Sequence, residues 1–373
     1  MRWRHFLFLA AVVPPWNFAV SSPVLETGEI AGAKFTLARP ARWNKGVLLI
    51  APPFRAETRP LVADLFPDHT AYKTLREEGW IVAKTSYRRN GLIIADAISD
   101  LDALRAHIAE TFGAPERVLL EGDSMGGLIV TLMAERPTAP RSYDGAVATG
   151  AALDLREPNS NLGLSLRPQI PLIFLSNQSE LAPARAYVST VPPGESAVPP
   201  VLFRVSRDGH VNVNQQERLL ALRALNAWLD RGRTTLPRPL PGAELFDATV
   251  APAAQPSQVT MHADQRGFDA TVIEISAVFG NVFLNAQPGD FAAAGISKFT
   301  WLKLTANGKD HRVFYGRDFN SVKRGEWVVF PNADGFAWLA RNFGDAAATA
   351  NLQVGAKVGF RRFEQRETAA PEN

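Results

Sequence analysis

Glu121-Gly122-Asp123-Ser124-Met125-Gly126-Gly127 follows the run Arg117-Val118-Leu119-Leu120 and leads into Leu128-Ile129-Val130-Thr131-Leu132-Met133-Ala134-Glu135. The pattern predicts a strand that turns into a helix at Ser124. Gly-x-Ser-x-Gly in that setting is a nucleophile elbow, a turn so sharp that side chains at 122 and 126 would collide. The turn lifts the Ser124 hydroxyl clear of the sheet. Because a helix starts at the next residue, the Met125 N–H and the positive helix end point at the same space and suit an oxyanion. A Gly-rich turn without chemistry fits the same letters. The strand before it and the helix after it favour catalysis.

Working outward, strands and helices alternate. Leu25 to Glu29 and Ala33 to Leu37 form an entry hairpin. Gly46-Val47-Leu48-Leu49-Ile50-Ala51 is apolar without alternation, as suits a strand covered on both faces. It ends at Pro52-Pro53-Phe54-Arg55, where a second oxyanion donor belongs, and since proline has no N–H the candidate is the Phe54 amide. Ala71 to Glu78 and Gly91 to Phe112 carry helical periodicity, with Trp80 to Ser86 a strand between them. Asp144 to Gly150, Pro171 to Ser176 and Val201 to Ser206 are further strands, and Gln215 to Arg231 is a closing helix. The order predicts an α/β fold, a doubly wound and mostly parallel sheet with the elbow at its middle strand.

Through its elbow and this order, the stretch from Pro23 to Arg231 resembles the α/β-hydrolase superfamily, in which serine, acid and histidine follow one another along the chain. A base placed to take the serine proton must then be a histidine after the elbow. Of six histidines, His5 lies in a presumed leader, His69 and His107 precede the elbow, and His262 and His311 belong to the second half. His210, in Ser206-Arg207-Asp208-Gly209-His210-Val211-Asn212, remains, and resembles the superfamily's Gly-His loop. The acid is expected after the preceding strand. Glu180 is the only carboxylate in Ser176-Asn177-Gln178-Ser179-Glu180-Leu181, and the resemblance implies an aspartate or glutamate there. Asp208 competes, but a side chain two residues from His210 usually points elsewhere. Asp123 reads as a supporting loop residue. The segment between Gly150 and Pro171 is too short for a helical lid. An open pocket is expected, with Phe54, Leu153, Leu155, Leu162 and Leu164 as candidate lining.

After residue 232 the character changes. Residues 233–256 hold five prolines without apolar period and read as a linker. Beyond it, Thr271 to Ser276, Trp301 to Thr305, His311 to Phe314, Trp327 to Phe330, Phe336 to Arg341 and Lys357 to Phe360 are short strands between turn residues, predicting a small all-β barrel. Phe279-Gly280-Asn281 with Asn285, Asn332-Ala333-Asp334-Gly335, Ala340-Arg341-Asn342 and Gly344-Asp345-Ala346-Ala347 resemble the C-terminal domain of S-adenosylmethionine hydroxide adenosyltransferases. The resemblance implies an adenine site, which would assign Phe279, Asn281, Asn332 and Arg341 to a nucleoside. The domain that completes that site in the family is missing here. A structural barrel that packs on the first domain or builds a homo-oligomer is therefore preferred.

The chain of 373 residues carries 40 basic and 37 acidic side chains, a net charge of +3, with no basic stripe to suggest a nucleic-acid partner. Without cysteine it has no thiolate nucleophile and no disulfide. Residues 1–21 read as a signal peptide, basic then apolar then small, too interrupted by Pro14-Pro15 to span a bilayer, which points to a secreted or periplasmic protein. The expected plan is signal 1–21, hydrolase domain 22–232, linker 233–256, barrel 257–363 and an unstructured tail 364–373. The expected activity is hydrolysis of an ester or related acyl bond in a small-molecule substrate through Ser124, His210 and Glu180, with no metal or cofactor. The alternative is a nucleoside or S-adenosylmethionine-binding protein in which the barrel recognises adenine.

Overall fold

The computed structural model describes residues 24–136, 142–154, 162–190, 198–230, 245–252 and 255–363. The expected leader, the expected tail and Leu155 lie outside them.

The first half contains β1 (Val24–Ile30), β2 (Ala33–Arg39), β3 (Gly46–Ala51), α1 (Thr70–Glu77), β4 (Ile81–Thr85), α2 (Ile94–Phe112), β5 (Arg117–Asp123), α3 (Met125–Glu135), β6 (Gly145–Thr149), β7 (Leu172–Asn177), α4 (Leu181–Thr190), β8 (Val201–Val205), α5 (Gln215–Asp230) and β9 (Phe246–Asp247). They form one nine-stranded sheet in the order β1-β2-β4-β3-β5-β6-β7-β8-β9. It is antiparallel only where β1 meets β2 and β2 meets β4. The doubly wound sheet expected from the alternation is present. Each apolar strand feeds two cores: Val47 and Leu49 pack with α2 and α3, while Leu48 and Ile50 pack with α1 and α5. That two-sided burial is why β3 shows no alternation. One element departs from expectation. Phe246–Asp247 falls in the stretch read as linker, yet pairs parallel to β8 and extends the sheet.

The chain leaves β3, crosses to β4, then returns to β5 on the other side of β3. A strand-order reversal opens a crevice at the carboxyl ends of the flanking strands. The loop after β3 and the turn after β5 meet there.

The second half contains β10 (Thr260–Met261), β11 (Gly267–Ile275), β12 (Val282–Leu284), α6 (Pro288–Ala293), β13 (Thr300–Ala306), β14 (Lys309–Tyr315), β15 (Trp327–Pro331), β16 (Ala337–Arg341), α7 (Ala346–Ala350) and β17 (Lys357–Arg362). Pairing of β11 with both β12 and β17 closes a barrel in the order β11-β12-β16-β15-β14-β13-β17. Its interior holds Phe268, Phe291 and Phe360. Closure leaves the barrel no free edge, so its strands can be short.

The halves touch through specific polar contacts. His69 Nε2 lies 2.9 Å from Glu274 Oε2, and the Gln215 N–H at the start of α5 donates to Asp334 Oδ1 at 2.8 Å. A barrel carboxylate therefore caps a helix of the other domain.

Candidate active site

Ser124 stands between β5 and α3 at φ 55° and ψ −114°, a strained conformation for a residue with a side chain. The glycines around it make the turn possible. A Cβ on Gly122 would run into the Gly126 carbonyl, and one on Gly126 into the Ala51 carbonyl of β3. Two backbone bonds fix the elbow: Ser124 N–H to Thr149 O at 2.9 Å, and Ala152 N–H to Ser124 O at 3.0 Å.

His210 sits beyond β8 in a loop strapped to the end of β7. Asn177 donates to the carbonyls of Arg207 (3.0 Å) and Asn212 (2.8 Å) and accepts from the Asn212 N–H at 2.7 Å. Ser179 Oγ accepts from the Gly209 N–H at 2.9 Å. In the strapped loop His210 Nε2 is 2.8 Å from Ser124 Oγ, and Nδ1 is 2.5 Å from Glu180 Oε2. Glu180 Oε1 accepts from the Val211 N–H at 3.1 Å, so its carboxylate is oriented by backbone. Gly150 must lack a side chain, since a Cβ would come within 2.7 Å of Glu180 Oε1. The Glu180 hydrogen bond, and after it the charges of Glu180 and Asp123, raise the His210 pKa against the opposing effect of burial. Glu180 is 17% exposed and His210 61%.

The structure thus brings Ser124, His210 and Glu180 together. Asp208 is elsewhere: its carbonyl accepts from Asn212 Nδ2, and its carboxylate makes no hydrogen bond among the described residues. Met125 opens α3, where first-turn N–H groups have no intrahelical partner. Phe54 lies in the loop after β3 with its ring about half exposed.

Behind the elbow is a buried charge group. Arg218 of α5 is paired with Glu121 and donates to Asp123 Oδ1 at 3.0 Å. Glu121 is fully buried, and burial raises its pKa while Arg218 opposes the rise. Sequence reasoning read Asp123 as a supporting residue but missed Glu121 and Arg218. A glutamate inside a strand walled by aliphatics was the available signal, because such a charge needs a buried partner.

Of the leucines expected as pocket lining, the three within the described residues pack into or against the core. Leu153 is buried in the core beneath α3, and Leu162 and Leu164 pack against that core. A cavity of about 530 Å³ lies between the domains, with Phe279, Phe283, Asn332 and Trp338 on one side and Arg55, His69 and Tyr72 on the other. Asp123, Val211 and Pro53, the chain neighbours of Ser124, His210 and Phe54, border it. Of the four candidate nucleoside residues, Phe279 and Asn332 reach this cavity. Asn281 is buried, and Arg341 spends its guanidinium on Gly325 O at 2.9 Å and Thr349 Oγ1 at 2.9 Å.

Residues 270–359 match the family described as the S-adenosylmethionine hydroxide adenosyltransferase C-terminal domain, so the barrel is of that type. No curated protein matches the chain. Solved structures similar to it include an esterase from Pyrobaculum calidifontis, at 15% identity and TM-score 0.44 over 56% of this chain and 85% of that one. A putative dienelactone hydrolase from Klebsiella pneumoniae aligns at 15% identity and TM-score 0.41, over 57% of this chain and all of that one. An uncharacterized conserved protein from Thermotoga maritima aligns at 22% identity and TM-score 0.27 over 37% of this chain, and the chain spans about half (49%) of its length.

Proposed function

We propose that this protein is a serine hydrolase that cleaves a carboxylic ester through an acyl-enzyme. One observation carries the reading. A serine in a strained elbow stands 2.8 Å from an imidazole whose other nitrogen stands 2.5 Å from a carboxylate. That arrangement suits nucleophilic catalysis, because the base can accept the serine proton while the acid stabilises the imidazolium.

Ser124 Oγ attacks the carbonyl carbon and its proton passes to His210 Nε2. The oxyanion is held by the N–H groups of Met125 and Phe54. As the tetrahedral intermediate collapses, the C–O bond to the alcohol breaks and His210 protonates the departing oxygen. Water then attacks the acyl-serine, gives its proton to His210, and the acid leaves as Ser124 regains its hydrogen. Glu180 keeps the Nδ1 proton in place throughout. Export of the protein belongs to the same proposal and rests on residues 1–21.

The test is active-site labelling. A fluorophosphonate should modify Ser124, and chromogenic esters should be turned over by the wild type and not by Ser124→Ala. Unlabelled Ser124 together with undiminished ester turnover by Ser124→Ala would place the chemistry elsewhere. Amide and thioester substrates run beside the esters define the acyl bond preferred.

A further inference from the structure

The outer face of the barrel carries aromatic side chains where a free barrel would face water. Along β12, Val282 and Leu284 point into the barrel core and Phe283 points out; along β16, Ala337 and Leu339 point in and Trp338 points out. Glu274 of β11 is the register partner of Phe283, and Phe283 of Trp338, so the three stand side by side on one outward patch. The Phe283 and Trp338 rings meet edge to face, with centroids 4.6 Å apart. Opposite them the first domain presents Phe66 stacked on His69 at 5.1 Å, and His69 bridges the gap to Glu274.

All five line the interdomain cavity, whose border includes Asp123 and Val211, the chain neighbours of Ser124 and His210. Its polar atoms are unevenly satisfied. Arg55 and Lys84 both engage Asp64, and Arg218 engages Asp123. Among the described residues, neither Glu274 Oε1 nor Trp338 Nε1, both buried, has a hydrogen-bond partner. Carboxylates outnumber cations around the space, since Asp68, Glu274 and Asp334 are added to those pairs.

We propose that this cavity is the specificity pocket of the site, and that it takes an aromatic ring bearing an N–H or O–H donor on one side of the scissile ester. The proposal rests on the hydrolase reading of Ser124 and deepens it. Flat rings on two facing walls suit offset or edge packing with a third ring. The Glu274 carboxylate on the barrel wall is the acceptor that suits such a donor. The surplus of carboxylates disfavours an anionic ring. The barrel is then part of the substrate site, in place of the lid that the short segment after Gly150 is unable to form.

The experiment compares ethyl acetate with ethyl 4-aminophenylacetate and 4-aminobenzyl acetate, which place the ring on the acyl and on the alcohol side of the bond. Wild type should favour at least one aminoaryl ester over its cyclohexyl counterpart. Phe283→Leu and Trp338→Ala should cut kcat/KM for that ester tenfold or more, and cut it clearly less for ethyl acetate, which has no ring. Glu274→Gln should erase the preference for the amino group over an unsubstituted ring. Equal losses on large and small esters, or no loss on either, would overturn the proposal. Failure of fluorophosphonate to label Ser124 would overturn the hydrolase reading instead. The pocket is then judged by calorimetry with 4-aminophenylacetamide: saturable binding lost in Phe283→Leu supports it, and absence of binding in the wild type overturns it.

Discussion

Replacing Glu180 by glutamine changes one oxygen to an amide nitrogen and little else in volume. Glu180 Oε2 sits 2.5 Å from His210 Nδ1 and Oε1 is held by the Val211 N–H at 3.1 Å. A glutamine keeps its carbonyl on the Val211 N–H and turns its NH₂ toward Nδ1. It then donates where the carboxylate accepted. The imidazole is driven into the tautomer with hydrogen on Nε2, which has no lone pair for the Ser124 proton 2.8 Å away. The negative charge that stabilises the imidazolium is lost in the same change. In a serine triad the acid-to-amide replacement costs roughly 10⁴-fold in kcat, about 5.5 kcal/mol of transition-state stabilisation. Steady-state hydrolysis of a chromogenic ester and the rate of fluorophosphonate labelling both read the loss. Asp208→Ala, which removes a carboxylate without a hydrogen bond, should stay within twofold. If Glu180→Gln keeps more than a tenth of wild-type kcat, or Asp208→Ala loses as much as Glu180→Gln, the assignment of the acid is wrong.

Three further outcomes are expected. Because Glu180 raises the His210 pKa, the acid limb of kcat/KM should fall above the ordinary histidine value of about 6.5; in Glu180→Ala it should move to lower pH as the plateau drops, and a limb unmoved by the substitution contradicts the cause given. Arg218→Met strips the fully buried Glu121 of its cation, at a cost of about 3–5 kcal/mol in urea unfolding; the double change with Glu121→Gln should cost clearly less, and equal costs would mean the pair is not coupled. Asp334→Ala removes a cap from the first N–H of α5 and should lower stability by about 0.5–2 kcal/mol, with an unchanged midpoint counting against a docked barrel.

Local chemistry was enough for the elements whose causes are local. The spacing of Gly122, Ser124 and Gly126 announces a sharp turn because backbone crowding at that turn excludes any Cβ. Unbroken apolar runs such as Gly46 to Ala51 announce two-sided burial, and α/β alternation follows from it. The barrel motifs were likewise readable, in the turn residues around Phe279, Asn332 and Arg341. Where sequence reasoning failed, the cause was a contact between distant segments. Leu162 and Leu164 have pocket-like composition but pack inward, and Arg341 has a ligand-like guanidinium that serves the backbone at Gly325. Phe246–Asp247 joins the sheet from a proline-rich stretch because an edge strand asks only for a short pairing.

The chain alone determined that a nucleophile-like serine ends one strand and that a histidine and a carboxylate follow two later ones. Only the folded molecule decided that Ser124 and His210, 86 residues apart, meet at 2.8 Å, and that Glu180 faces the imidazole while Asp208 does not. It also decided that the barrel's outward rings face the first domain across a cavity. Backbone preference acts within a few residues. Which side chains face one another is set by strand order and domain packing, whose energies are collected only when distant surfaces come together.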